Sequence, residues 1–319
     1  MDYNKIVIKN LNEISSIPID KLANLTYLTF DNTFNKPLGN SLDKLTNLTH
    51  LTFGNSFNKP LSNSLDKLTN LTHLTFGDEF NKSLGNSLNK LTNLTLINFG
   101  DEFDKPLGNS LDKLINLNQI TFGYIFNQPL ANSLDKLINL THLTFDSDFN
   151  QSLDNSLDKL TSLQYLTFGE YFNKPLSNSL DKLINLTHLT FGYKFNNPLN
   201  NILYYLTKLE HLTLGHEFNQ ELNLHFNIKI LTIDCNNQNL IDNLPNSINE
   251  LNFGPGFNLL LNNLPNLIKK ISFSKYSKYN NLLNNLPNSL EQLELPKDYK
   301  LEIKNIPSNC EIIYLDFND

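Results

Sequence analysis

The sequence consists largely of one unit that recurs every 23 residues. The stretch from Asn40 to Gly54 (NSLDKLTNLTHLTFG) is almost unchanged in its copies, which begin at Asn63, Asn86, Asn109, Asn132, Asn155, Asn178 and Asn201. A degenerate copy begins at Ile17. Because one unit of this size cannot bury its own apolar edge, the copies must stack on one another. The repeat therefore predicts a solenoid.

The apolar residues within one repeat have the spacing of a turn that leads into a short strand. They form the phrase Leu48-x-x-Leu51-x-Phe53, and side chains alternate between the two faces of a strand. Leu51 and Phe53 should therefore point inward and His50 outward. This pattern, with a period of about 20–29 residues, is typical of leucine-rich repeats. The predicted fold is a leucine-rich-repeat-like solenoid, a curved right-handed coil of about 14–15 short parallel strands, with 3₁₀ or extended segments on the convex side.

Two aromatic columns contain 20 of the 22 phenylalanines, one at the position of Phe53 and one at the position of Phe57. Their recurrence in each coil predicts two continuous stacks in the core. An asparagine follows the second column in most coils, at the position of Asn58. A buried amide must be hydrogen-bonded, so we expect these asparagines to bind the backbone of the loops.

The chain is expected to form one continuous solenoid domain with three segments. Residues 1–16 provide an N-terminal cap and the first strand, residues 17–222 the 23-residue repeats, and residues 223–319 shorter divergent repeats with a C-terminal cap. The shorter repeats keep two apolar residues two positions apart, and the last such pair, Ile313 and Leu315, should point inward. Between the segments we find no linker, so we expect no independent domains.

The loops that follow the strands share a short motif. It occurs at Phe57–Leu61 (FNKPL), Phe126–Leu130 (FNQPL) and Phe172–Leu176 (FNKPL), and a shorter form occurs at Leu244–Ile248 (LPNSI). These stretches resemble the signature of FNIP repeats and of their shorter variant. The resemblance implies a leucine-rich-repeat-like protein of a kind known mainly from social amoebae and from giant viruses that infect amoebae. Several viral members carry an N-terminal F-box, which recruits a ubiquitin ligase. The resemblance therefore implies an alternative function, a substrate-recognition subunit of a ubiquitin ligase. No F-box segment is evident ahead of Ile6.

Charge and composition argue against several classes of protein. The net charge is -7 and the sequence contains no arginine, whereas a nucleic-acid groove or an anionic membrane surface requires clustered cations. The apolar runs are far shorter than the roughly 18 residues of a membrane-spanning helix, and no signal peptide is evident. The two cysteines suit a reducing compartment. We therefore expect a cytoplasmic location, and the resemblance to viral FNIP-repeat proteins implies the cytoplasm of an infected host cell.

The sequence contains no motif that predicts an enzyme. It lacks a CxxC pair, a phosphate-binding glycine loop and the HExxH and GxSxG signatures. We expect no catalytic residue, no cofactor, no metal site and no small-molecule substrate. The histidines at the position of His50 should form a polar surface column. The glycines that end the strands, such as Gly54, Gly77 and Gly100, should provide turns with positive φ.

Variation between repeats is concentrated at the two positions after each strand-ending glycine. These positions should flank the strands on the concave rim, where tyrosine is favoured for partner contacts. The predicted function is a non-enzymatic protein–protein interaction scaffold that uses the concave face and rim. The candidate partner-binding residues are Tyr124, His142, Tyr165, Tyr171, His188 and Tyr193, together with the acidic Asp78, Glu79, Asp101 and Glu102.

Overall fold

The structure is a parallel β-solenoid, obtained as a computed structural model that describes residues 5–224 and 227–316. Fifteen short strands form one sheet in which the strands follow one another in chain order. The chain separates into two compact units. Unit 1 comprises residues 1–169 and 178–183, and unit 2 comprises residues 170–177 and 184–319. Residues 1–4 and 317–319 of the two expected caps lie outside the described residues.

The described part of unit 1 contains eight strands and two short helices. These are β1 (Lys5–Ile8), α1 (Leu11–Ser16), α2 (Ile19–Leu22), β2 (Tyr27–Phe30), β3 (His50–Thr52), β4 (His73–Thr75), β5 (Leu96–Asn98), β6 (Gln119–Thr121), β7 (His142–Thr144) and β8 (Tyr165–Thr167). The strands pair in parallel, and from β2 onward each residue lies opposite its equivalent in the next repeat. Leu51, for example, lies between Leu28 and Leu74.

Among its described residues, unit 2 contains seven strands and two short helices. These are β9 (His188–Thr190), α3 (Asn200–Leu203), β10 (His211–Leu214), β11 (Ile230–Ile233), α4 (Gln238–Asp242), β12 (Glu250–Phe253), β13 (Lys270–Phe273), β14 (Gln292–Pro296) and β15 (Glu311–Leu315). No helix in the described part of the chain has the length and apolar composition needed to cross a bilayer.

Burial alternates along the strands as the period-two pattern predicts. Leu51 and Phe53 are buried, whereas His50 is half-buried on the other face. In unit 2, Leu251 and Phe253 of β12 are buried in the same way. The inward placement of the leucine and phenylalanine columns is therefore confirmed.

The phenylalanines form two parallel stacks inside unit 1. The rings of Phe53 and Phe76, from neighbouring coils, lie 5.6 Å apart with planes only 9° from parallel. The second column stacks likewise, with 6.0 Å between the rings of Phe57 and Phe80. The two columns also contact each other, since Phe53 lies 4.2 Å from Phe57. The corresponding columns of unit 2 pair in the same manner.

An asparagine ladder runs beside the second phenylalanine stack. The backbone N–H of Asn58 donates to Oδ1 of Asn35 at 3.0 Å, and Oδ1 of Asn58 accepts from the N–H of Asn81 at 3.1 Å. Asp104 occupies one step of the ladder and accepts from the N–H of Asn127 at 3.0 Å. The predicted bonding of these side chains to the loop backbone is confirmed.

The segment that returns to the next strand is built from tight turns. The N–H of Ser64 donates to the carbonyl of Leu61 at 2.9 Å, and that of Leu68 donates to the carbonyl of Leu65 at 3.0 Å. Bonds between residues three apart are those of a 3₁₀ turn. The sequence predicted 3₁₀ or extended segments opposite the strands, and the structure contains 3₁₀-type turns there.

The glycines that end the strands are required for a reason other than positive φ. Among the described glycines, positive φ occurs only at Gly39, Gly85 and Gly108, which lie in the turns opposite the strands. At Gly100 an added Cβ would lie 1.9 Å from the carbonyl oxygen of Gly77. The expected positive φ is therefore wrong for Gly100 and its equivalents, because close contact between neighbouring backbones excludes a side chain there.

The register of the last strand differs from the prediction by one residue. Ile312 lies opposite Leu293 and Tyr314 opposite Leu295, so that Ile313 takes an outward position. The expected inward pair, which began at Ile313, is therefore wrong. A shift of one residue reverses the direction of every side chain in a strand. The backbone sets this register, because the first N–H of β15 donates to the carbonyl that precedes β14 at 2.9 Å.

The two glycine positions of one repeat should differ sharply in their tolerance of alanine. Gly100→Ala should lower the free energy of unfolding by more than about 3 kcal/mol, because the methyl group overlaps a backbone carbonyl. Gly108→Ala should cost only about 1–2 kcal/mol, since the space is open and the equivalent Ala131 already has φ of 44°. Urea denaturation measures both; equal losses would contradict this account.

The asparagine ladder should accept aspartate but reject leucine. Asn58→Asp keeps an oxygen for the N–H of Asn81, as Asp104 does for Asn127. Asn58→Leu leaves that N–H without its partner and should cost about 1–3 kcal/mol. Thermal unfolding of the two variants provides the comparison, and a leucine variant as stable as the aspartate variant would show that the ladder is dispensable.

Candidate partner-binding surface

The outward side chains of β2–β8 form an uncharged surface in unit 1, which we call the strand face. The first position of each strand contributes a larger residue, and the last position of β3–β8 contributes threonine or asparagine. The first-position residues are Tyr27, His50, His73, Leu96, Gln119, His142 and Tyr165. Neither row contains Lys, Asp or Glu. The strand face therefore carries no formal charge while its histidines are neutral.

Rings on neighbouring strands stack on one another across the strand face. His50 lies 4.0 Å from Tyr27 and 4.1 Å from His73 between ring centroids. His142 stacks on Tyr165 at 4.3 Å, with planes 7° from parallel. The in-register sheet imposes these contacts, because residues at the same position of adjacent parallel strands lie about 4.8 Å apart.

Each of these histidines is held by the threonine that precedes it. Oγ1 of Thr49 lies 2.9 Å from Nδ1 of His50 and donates to the carbonyl oxygen of Thr26 at 3.0 Å. The same arrangement recurs at Thr72 and His73. It is found again at Thr141 and His142, where β7 begins. The Thr-His dipeptide is visible in the sequence, but its second bond to the previous coil is not, and sequence analysis missed it.

Burial lowers the pKa of two histidines in unit 1. It is the main cause for His50, and the neighbouring His73 lowers the pKa of His50 further. Burial alone lowers the pKa of His142, which stacks on Tyr165. Both rings therefore remain neutral to a lower pH than an ordinary histidine.

Four exposed carboxylates follow β4 and β5 in two loops, which we call the acidic loops. They belong to Asp78 and Glu79 and to Asp101 and Glu102. The amide of Asn55 donates to Asp78 at 2.6 Å, and a serine hydroxyl donates to Glu79 at 3.2 Å. Within the described part of the chain, none of the four forms an ion pair with a lysine. The negative charge of the acidic loops is therefore not neutralised by any described lysine.

Tyr124 occupies the next loop of unit 1 and presents an apolar ring to solvent. Its side chain is 47% exposed. Its backbone carbonyl accepts from the N–H of Asp148 at 2.9 Å, which fixes the loop against the next coil. A ring on a fixed backbone can bind a partner at little entropic cost.

In unit 2 the loop residues are paired with one another. Tyr193 stacks on His216 at 4.8 Å, and Nζ of Lys194 lies 5.1 Å from the Tyr193 ring. Lys194 also forms an ion pair with Glu217. Tyr171 is 41% exposed and Tyr193 is 42% exposed. These rings remain available to a partner although the lysine charge beside them is balanced.

Outward residues of unit 2 also contact each other between strands. His188 of β9 stacks on His211 at 3.8 Å. Further along the unit, Nζ of Lys270 lies 2.8 Å from the carboxylate of Glu294. Burial alone would raise the pKa of Glu294, but hydrogen bonds from Lys270 and Ser272 lower it below its ordinary value. This part of the sheet thus differs chemically from the uncharged strand face.

The structure distributes the predicted contact residues between the two units. Unit 1 contains Tyr124, His142, Tyr165, Asp78, Glu79, Asp101 and Glu102, and unit 2 contains Tyr171, His188 and Tyr193. The stacked rings of His142 and Tyr165 are in direct contact. Whether these residues bind a partner stays a prediction.

No three side chains of His, Cys, Asp or Glu among the described residues converge as metal ligands. Both cysteines are free, Cys235 buried and Cys310 half-buried. Burial raises the pKa of Cys235 to about 11, so its thiol stays protonated and is a poor nucleophile near neutral pH.

Comparison with solved structures identifies the fold. A crystal structure of CroV588 from a giant virus, described as a novel circular LRR protein, superposes with a TM-score of 0.74 and 30% identity. The match covers 96% of this chain but 48% of CroV588, so the chain spans about half of that protein. This is the leucine-rich-repeat fold.

More distant leucine-rich-repeat structures agree. An internalin, InlF, from Listeria monocytogenes matches with a TM-score of 0.59 and 19% identity over 96% of this chain and 89% of its own. Toll, in the Drosophila Toll–Spätzle complex, matches with a TM-score of 0.61 and 14% identity over 98% of this chain and 49% of its own. No protein-family model and no curated protein matches the sequence, so the resemblance to FNIP repeats stays a prediction.

Acidification below the ordinary histidine pKa should destabilise unit 1. Burial in the folded state lowers the pKa of His50 and His142, so the unfolded chain binds more protons once the pH falls below the ordinary histidine pKa of 6.5. Stability is therefore complete above that value and is lost as the pH falls through it. The melting temperature should decrease from about pH 7.5 to pH 5. A His50→Gln, His142→Gln variant should show a smaller decrease; an equal one would contradict this cause.

Proposed function

We propose that the protein is a non-enzymatic protein–protein interaction scaffold whose partner binds the strand face and the adjoining loops. One observation carries the proposal. In β2–β8 the inward positions of successive coils are almost invariant and buried, while the outward position at the start of each strand is Tyr, His, Leu or Gln on the same backbone. A uniform core that supports varied outward residues is suited to recognition of a partner.

The exposed tyrosines support this function further. Tyr124, Tyr171 and Tyr193 all lie in the loops that follow strands, and each is at least 41% exposed. Tyrosine buries a large rigid ring and offers a hydroxyl for hydrogen bonds, and it is enriched at the centres of protein interfaces. The absence of arginine and the net charge of -7 favour a protein partner over a nucleic acid.

The proposal extends to the setting in which the protein acts. The two free cysteines suit a reducing, cytoplasmic environment. The FNIP-like loops and the similarity to CroV588 support a viral protein that acts in an infected cell. The ubiquitin-ligase alternative requires an adaptor-binding segment, and co-purification of an adaptor is the result that would favour it.

Proximity labelling in the native cell tests the scaffold function. The chain is compared with a variant that combines Tyr124→Ala, Tyr171→Ala and Tyr193→Ala. The matched control combines Lys113→Ala and Lys136→Ala, which alters two exposed residues in the turns opposite the strands. We expect one set of neighbouring proteins to be labelled by the wild type and the control but lost from the tyrosine variant.

Two results would contradict the proposal. One is labelling by the wild type that does not exceed background. The other is a labelled set that is unchanged in the tyrosine variant while its melting temperature matches that of the wild type. Because exposed tyrosines away from the core contribute little to stability, we expect all three proteins to fold alike.

A further inference from the structure

The turn opposite the strands changes its surface in one coil of unit 2. In the preceding coils two neighbouring positions of this turn hold an Asp–Lys or Asn–Lys pair, as at Asp181 and Lys182, but between β9 and β10 they hold Tyr204 and Tyr205. Tyr204 is 76% exposed, the largest exposed fraction of any large apolar side chain that the structure describes, and Tyr205 is 47% exposed. Apolar groups clustered in water often mark a binding site.

The backbone that carries these two tyrosines is fixed by the core. Ile202 and Leu203 of α3, which precede the pair, are buried, and so is Leu206, which follows it. The N–H of Tyr205 donates to the carbonyl of Ile202 at 3.1 Å, and that of Leu206 donates to the carbonyl of Leu203 at 3.1 Å. A partner can therefore bind the two rings without first ordering the backbone beneath them.

The next coil has no counterpart of the two tyrosines. His188 lies opposite His211, 23 positions later, whereas His211 lies opposite Ile230, only 19 positions later. The loop motif is intact at Phe218–Leu222 (FNQEL). The residues that this coil lacks therefore belong to the turn opposite the strands, and the tyrosines stand where the repeat becomes shorter.

The two rings form a corner with aromatic walls. Their centroids lie 5.5 Å apart with planes 89° from parallel, so the edge of one ring meets the face of the other. Neither hydroxyl has a hydrogen-bond partner among the described residues, and both can donate to a partner. The corner is complementary to a compact apolar group that has a hydrogen-bond acceptor beside it.

A cavity of about 400 Å³ lies beside α3. Pro175 lines it from one coil, and Asn201 and Ile202 line it from the next. Asn201 precedes Tyr204 by three positions, and Ile202 precedes Tyr205 by three. Residues three apart lie on the same side of a helical turn, so the cavity adjoins the corner. None of the residues that line the cavity is charged.

We propose that the corner and the cavity, which we call the Tyr204–Tyr205 site, bind a proline-rich segment of a partner protein in the polyproline II conformation. Such a segment has carbonyl groups but few N–H groups and forms no internal hydrogen bonds, so it requires donors from the surface that binds it. The two tyrosine hydroxyls and the exposed amide of Asn201 are such donors.

The apolar part of the Tyr204–Tyr205 site fits the same partner. Proline rings pack against aromatic faces, and the segment loses little entropy on binding because its conformation is already formed. The site lies in the turn opposite the strands. It is therefore a second binding surface, which goes beyond the strand face and loops assigned to the scaffold function.

The repeat itself supplies the substitutions that test the site. A variant that combines Tyr204→Asp and Tyr205→Lys restores the pair found at Asp181 and Lys182, so it should fold as the wild type does. A variant that combines Tyr204→Phe and Tyr205→Phe keeps both rings and removes only the hydroxyl donors. The control is the triple alanine variant used for proximity labelling, which removes exposed tyrosines elsewhere.

Fluorescence anisotropy of a labelled, capped peptide of ten prolines measures binding to the full chain. We expect the wild type and the triple alanine variant to bind it with the same dissociation constant. The Asp–Lys variant should bind at least about tenfold more weakly, because both aromatic walls are lost. The double phenylalanine variant should bind about fivefold more weakly for each hydroxyl bond lost. A peptide of alternating glycine and serine of the same length should not bind.

Four results would overturn the inference. The first is failure of the proline peptide to bind the wild type, and the second is equal binding of the glycine–serine peptide. The third is unchanged binding by an Asp–Lys variant that melts at the wild-type temperature. The fourth is a wild-type dimer in sedimentation that becomes monomeric in the Asp–Lys variant, which would assign the site to a second copy of the chain. The scaffold function would survive any of these results, because the labelling experiment depends on other tyrosines.

Discussion

The contact of each residue with its own copy in the next coil is the constraint on which this structure depends. In unit 1 the parallel strands lie in register, so a position in one repeat meets the same position in the neighbouring repeats. Only side chains that pack well against themselves are suitable for such a column. Phenylalanine satisfies this by stacking. Asparagine satisfies it because its side-chain oxygen accepts a hydrogen bond from the backbone N–H of the asparagine in the next coil.

The sequence predicts this arrangement well where periodicity alone decides it. The direction of Leu51 and Phe53 follows from period two, and the repeat fixes which strand lies beside which. The role of Gly100 could not be obtained in this way, because a glycine is equally consistent with positive φ and with close backbone approach. The distance to the carbonyl of Gly77 distinguishes the two. The register of β15 was missed because Ile312 and Ile313 are both apolar, and alternation offers no preference between them.

The candidate surface was only partly accessible to sequence reasoning. Exposed positions such as Tyr124 can be located, because they alternate with buried ones. The hydrogen bond from the Thr49 hydroxyl to the carbonyl of the preceding coil links residues 23 positions apart. The local sequence does not indicate this bond. The two units also differ in how their charges are paired, which amino-acid composition alone does not show. Lys270 and Glu294 in unit 2 neutralise each other across strands, whereas the acidic loops of unit 1 have no such partner among the residues that the structure describes.

The near identity of the coils in unit 1 has a consequence for how the chain finds its native alignment. A strand displaced by one whole repeat would meet nearly the same neighbours, with the phenylalanine stacks and the asparagine ladder intact, and a complete coil would be looped out. The energy gap against such slipped states is narrow, and a narrow gap favours kinetic traps. Asp104 is one irregularity in the ladder that marks a particular coil. In unit 2, paired residues of neighbouring coils are separated by 23, 22, 20 or 19 positions, so the coils there are less interchangeable than those of unit 1.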